Sequence, residues 1–174
     1  DEIEVQNVTY YDQVQKVDIF QNFNESDINM LISNSKIRKF EPNENIVNEN
    51  DEGDSLFIIL SGNARVFINK DGKDIKLGMV ANGDTFGEFS LLTGDKRSAT
   101  VKAINHLECI EISKAALKNI LEKEPDLIDE LASIMAKRQE ANKEIDDKHK
   151  KLSTKEIFEY YKSEFNKKIK AFFN

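Results

Sequence analysis

The stretch "FGEFSLLTGDKRSAT", residues 86–100, sets a glycine, a carboxylate, a second glycine and an arginine close together in sequence. Gly87 lets backbone approach a ligand closely. The residues after it, Glu88 to Leu92, can form one helical turn whose free amides point at an anion. Arg97 would add a charge-assisted contact to phosphate oxygens, bidentate where geometry allows. Glu88, an acceptor-only carboxylate, suits a sugar hydroxyl that must donate. Ser98 brings a further hydroxyl near phosphate or base, and Ala99 leaves room where a larger side chain would crowd a ring. The chemistry so described is capture of an anion with a ribose attached. Read in isolation, Glu88 and Arg97 fit an ordinary surface ion pair as well, with Gly87 and Gly94 merely shaping turns.

Strands must hold such a stretch. From Lys39 to Ile112 the chain runs in short alternating segments broken by turn formers, and all seven glycines lie between positions 53 and 94. This texture predicts an α+β protein built on an antiparallel β-roll, a jelly roll of about eight strands. "KDGK" at 70–73 is the clearest hairpin signal, an Asp-Gly turn between strand-like flanks. Ahead of the roll, residues 9–38 carry helical spacing, with Val14, Val17 and Phe20 on one side and a capping signal in "NESD" before Ile28, Leu31 and Ile32. After Ser113 the spacing is helical again. One helix ends before Pro125, and a second runs from there to Lys150 with Leu127, Leu131, Ile134 and Met135 on one face. A third places Ile157, Tyr161, Phe165, Ile169 and Phe172 at helical spacing, in a segment holding six of the fifteen aromatics. The expected organisation is a helical segment at 1–38, the roll at 39–113, helices at 114–150 and an amphipathic basic and aromatic tail helix at 151–174.

Composition narrows the function classes. A net charge of −7 opposes nucleic-acid binding, which needs a basic face. Eight lysines against three glutamates give residues 148–174 a balance of +5, leaving −12 for residues 1–147. Metal chemistry is not expected, because His106 and His149 are the only histidines and stand in unrelated contexts. "NENDEGDS" at 48–55 mimics the start of a calcium loop, but the twelfth position is Ile59 where a bidentate glutamate is required, so it reads as a turn. Neither a P-loop nor a Gly-x-Ser-x-Gly elbow is present, and no catalytic residue is expected. Cys109, alone in "HLECIEI", reads as a small buried core residue, compatible with a reducing compartment. No apolar run reaches the ~20 residues that span a bilayer, and the first residues lack a signal peptide's pattern. Because residue 1 is Asp rather than Met, the chain is expected to be a piece of a longer protein.

As a whole, residues 86–101, "FGEFSLLTGDKRSATV", resemble the phosphate-binding cassette of cyclic nucleotide-binding domains: Phe-Gly-Glu, a short apolar helix, a Gly-containing turn, then Arg, two small residues and Thr ahead of a strand. "DEGDSLFIILSGNARVFI" is similar to that family's Gly-Asp strand signature, and "VQKVDIFQNFNESDINMLI" to its N-terminal helices. The resemblance runs from about Lys16 to Arg138. It implies cAMP or cGMP as ligand, with no cofactor, held by Phe86, Gly87, Glu88, Phe89, Ser90, Arg97, Ser98 and Ala99. It also makes the helices of 114–150 a lid, with Arg138 where some members stack an arginine on the purine; the alternative for Arg138 is a solvated helix arginine. Lys96 departs from the proline common before the arginine, adding positive charge. Ser98 leaves the choice between cAMP and cGMP open.

By the same resemblance the chain is a regulatory module rather than an enzyme. Ligand-independent assembly around a relic cassette is the alternative. A transcription-regulator effector domain would need a DNA-binding helix-turn-helix, for which too few residues follow Arg138. The closing "NKKIKAFFN" is similar to a C-terminal segment of prokaryotic cyclic nucleotide-gated channels related to the small-conductance mechanosensitive family. This implies attachment to a membrane channel and a cytoplasmic location, with self-association through the tail helix as a further expectation.

Overall fold

The computed structural model describes residues 10–141 and 153–174. Eight strands among them are β1 (Lys36–Phe40), β2 (Asn45–Val47), β3 (Ser55–Ser61), β4 (Ala64–Lys70), β5 (Lys73–Val80), β6 (Thr85–Phe86), β7 (Thr100–Ala103) and β8 (Leu107–Ser113). They form two antiparallel four-stranded sheets, ordered β1-β8-β3-β6 and β2-β7-β4-β5, which is the expected α+β roll. The Asp-Gly hairpin joins β4 to β5, with Lys70 opposite Lys73 and both Asp71 and Gly72 at positive φ.

Strand β3 explains how the roll is clad. Its "LFII" run is buried on both faces, because successive side chains of a strand point opposite ways. Phe57 and Ile59 enter the roll beside Phe40, Val47, Val101 and Cys109, whereas Leu56 and Ile58 meet a helical layer. β8 divides likewise, with Leu107 and Cys109 inside and Ile110 and Ile112 against the helices.

That layer comes from both ends of the chain. Helix α1, described over residues 10–15, and a 3-10 turn at Asp18–Phe20 precede α2 (Glu25–Ser33). Asn24 and Asp27 cap α2 reciprocally. β1 starts at Lys36, three residues ahead of the boundary drawn from sequence, because Lys36–Lys39 pair with β8 while their side chains stay exposed. α4 (Lys114–Lys123) follows β8 directly. Ser113 occupies its N-cap position, yet the side chain makes no cap bond; the Lys114 amide instead donates to the Asp54 carbonyl at 2.8 Å. α5 (Asp126–Ala141) buries Leu127, Leu131 and Met135, and its expected continuation to Lys150 lies outside the described residues. α6 (Thr154–Phe173) buries Ile157, Phe165, Ile169 and Phe173. The strict four-residue step thus ends on Phe173, and Phe172 turns aside to meet the loop that follows residues 88–93. No helix among the described residues is long and apolar enough to cross a membrane.

Candidate functional site

Short helix α3 (Glu88–Thr93) lies between two glycines, Gly87 and Gly94, both in the left-handed region. Leu91 and Leu92 fasten it into the helical layer at 0% exposure. The buried Ser90 hydroxyl donates to the Asp95 carbonyl at 2.8 Å and the Gly94 amide to the Ser90 carbonyl at 3.1 Å, closing the turn that carries the chain to Arg97. The backbone of Arg97 is gripped from both sides: its amide donates to the Asp51 carbonyl and its carbonyl accepts from the Asn50 amide, each at 2.8 Å. The acidic "NENDEGDS" turn therefore anchors the cassette.

Beside these residues opens a cavity of about 470 Å³, within the range that small-molecule ligands occupy. Phe86, Gly87, Glu88, Phe89, Ser90, Arg97, Ser98 and Ala99 all line it, eight of the nine residues anticipated from sequence. Arg138 does not. Its guanidinium pairs with Asp18 at 3.4 Å and with Glu88 at 3.5 Å, joining α5 to the 3-10 turn and to α3. Sequence reading missed Val47, Val66 and Val101, which supply the apolar wall. They are inward positions of strands, and only the register shows that they face one side.

Arg97 is the unusual member. Its side chain is buried, at 7% exposure, and does not pair with Glu88. Nη1 donates to the Ser55 carbonyl at 2.6 Å and Nη2 to the Ser55 hydroxyl at 3.0 Å. The guanidinium also sits 5.6 Å from the centroid of Phe57, which stacks on Phe86 at 5.1 Å. Burial pulls the Arg97 pKa below its ordinary value, opposed by the charges of Glu111 and Asp54. The group stays cationic. A cation fixed in a cavity wall, with an apolar wall opposite, can take an anion carrying a flat apolar group.

Phe89 and Asp95 also belong to a second cavity, of about 290 Å³, whose other residues include Tyr160, Tyr161 and Phe165 of α6. The Phe89 and Phe165 rings lie 5.9 Å apart. The tail helix thus abuts the site, which no motif in the sequence announces. Among the described residues no group of three or more His, Cys, Asp or Glu side chains is placed to hold a metal ion.

Comparison with known proteins identifies the family and the fold. The family model for the cyclic nucleotide-binding domain matches residues 37–124. The cGMP-dependent protein kinase of Toxoplasma gondii is 36% identical over 105 residues, 60% of this chain and 10% of the kinase. The cAMP-activated global transcriptional regulator CRP of Salmonella typhimurium is 29% identical over 66% of this chain and 55% of its own length. Among solved structures, the regulatory domain of Toxoplasma gondii PKA with cAMP superposes with a TM-score of 0.68 at 21% identity, covering 91% of this chain and 58% of that one. A cyclic nucleotide-binding domain from Methylobacillus flagellatus gives 0.61 at 25% identity, covering 71% and 70%.

Proposed function

This chain belongs to the cyclic nucleotide-binding domain family, and from that premise we propose that it is a regulatory module that takes cAMP or cGMP into the cavity walled by Arg97. The domain is not itself catalytic. One observation carries the reading: a buried arginine, held by two hydrogen bonds from behind, forms part of a ligand-sized cavity. Arg97 takes the cyclic phosphate, Glu88 a ribose hydroxyl and Phe86, Phe89 and Ala99 the apolar parts. Ser98 stands beside the phosphate and base, and Ser90 shapes the turn. Arg138, now on Glu88 and Asp18, is freed toward the base when a ribose hydroxyl engages the Glu88 carboxylate.

The test is calorimetric titration of refolded, nucleotide-free chain with cAMP and cGMP in parallel. Saturable one-to-one binding is expected with at least one of them. Arg97→Ala should cost about 2–5 kcal/mol of affinity, as when a buried charge pair loses one partner. Binding of neither nucleotide would leave a roll kept for assembly.

The wider setting is proposed on less. The chain spans about a tenth of the Toxoplasma kinase and about half of the Salmonella regulator, so its parent's activity is not theirs by default. We place it as the cytoplasmic regulator of a membrane channel, on the likeness of its closing segment alone. Reading the gene upstream of residue 1 for membrane-spanning helices decides this. Sedimentation of the chain with and without α6 decides whether that helix joins two copies.

A further inference from the structure

We infer that Ser55 and Glu111 are positioning residues for Arg97, an assignment that rests on the nucleotide-binding reading above. The Ser55 hydroxyl has one proton and two acceptor sites. Its proton goes to Glu111 Oε2 at 2.8 Å, and so its lone pairs are left for the Nη2 donor of Arg97 at 3.0 Å. Glu111 therefore sets the hydroxyl's rotation. The other carboxylate oxygen, Oε1, is held by Arg38 Nη1 at 2.9 Å, which stops the carboxylate from turning away.

The relay Arg38–Glu111–Ser55–Arg97 crosses three neighbouring strands, β1, β8 and β3, and ends in the cassette. It delivers negative charge behind a guanidinium that burial disfavours, and it fixes direction as well as charge. Two glycines leave room for the guanidinium at this seat. A Cβ at Gly53 would stand 2.6 Å from Arg97 Cζ, and one at Gly87 would stand 2.7 Å from Nη1. Held by Ser55 at Nη1 and Nη2, the guanidinium is ordered before ligand arrives, which lowers the cost of ordering it when phosphate binds.

The experiment measures cAMP affinity by calorimetry, and adenosine affinity by competition as a phosphate-free probe, in wild type, Ser55→Ala, Ser55→Thr, Glu111→Gln and Arg38→Ala. Ser55→Ala and Glu111→Gln should each weaken cAMP roughly tenfold, in the manner of groups that orient a binding residue. Ser55→Thr, which keeps the hydroxyl, should restore it. Adenosine affinity should be unchanged, a result that a merely structural role would not give. Arg38→Ala acts from an exposed edge and should show a smaller loss in the same direction. Should Ser55→Ala fail to fold, Glu111→Gln and Arg38→Ala carry the decision. Folded variants that bind cAMP like wild type, or that lose cAMP and adenosine in equal proportion, would overturn the assignment. If the wild-type chain takes neither cAMP nor cGMP, the nucleotide reading itself fails, which is a separate outcome visible before any variant is made.

Discussion

A glycine that is needed for space leaves a different experimental trace from one needed for its backbone angle. Gly53 is the first kind, since any side chain there meets the guanidinium of Arg97 rather than straining its own backbone. Gly53→Ala is predicted to displace the arginine from Ser55 and to cost about 1–3 kcal/mol of nucleotide affinity, the range for a buried donor separated from its partner. Calorimetry reads this directly; wild-type affinity would mean that the guanidinium has a second seat. Cys109 offers a prediction of another sort. It is fully buried in β8, and burial pushes its pKa up to about 12, helped by the carboxylates of Glu111 and Glu108 and opposed by Arg38. Only the thiolate reacts with alkylating agents. The native chain should therefore resist iodoacetamide at neutral pH by mass spectrometry and be labelled promptly in denaturant.

Elements of the helical layer meet at a point where two carboxyls face each other. Glu124, at the C-cap of α4, is held above the usual carboxylate range by a hydrogen bond with Asp27 at the start of α2, with burial and the Asp27 charge adding to the effect. A carboxyl raised on folding contributes stability below its unfolded pKa and loses that contribution as the pH climbs through the folded value. Glu124→Gln should consequently raise the melting temperature relative to wild type at pH 7, with the gain shrinking as the pH falls into the carboxylate range. A gain independent of pH would remove the Asp27 contact from the explanation.

Legibility in the sequence follows the same division between local and long-range causes. The cassette, the Asp-Gly hairpin and the Asn24 cap were readable because each is a local rule played out over a few residues. Eight cavity-lining residues were likewise within a single stretch. Ser55, Glu111 and the three valines were not, because only strand register brings them to Arg97 and its cavity. Arg138 falls on α5, as the helical spacing after Pro125 implies, but its attachment to Asp18 depends on how two ends of the chain pack.

At the scale of the whole molecule, α3 is shared by two bodies. One side of it borders the Arg97 cavity, and the other receives α6, with Phe89 against Phe165 and the Phe172 ring where a Gly94 side chain would be. Lys114 of α4 covers the same Phe172 ring at 4.0 Å, so the tail helix is seated on the cassette and on the end of the roll together. A ligand that binds only the folded chain stabilises it in proportion to the logarithm of its concentration over Kd. Because α6 rests on an element that lines the proposed ligand cavity, that stabilisation should extend into the tail. Saturating cAMP is predicted to slow amide exchange in Thr154–Phe173 as well as in residues 86–100, read by mass spectrometry. Gly94→Ala tests the connection from the other side. Gly94 has φ +72°, which a side chain strains, and a Cβ would lie 2.8 Å from Phe172 Cδ1. The variant should expose α6 to faster exchange in the absence of ligand. Protection confined to the cassette in wild type, with α6 exchanging at one rate regardless of cAMP, would show that the tail helix is a passive cover and that the signal leaves the domain by another route.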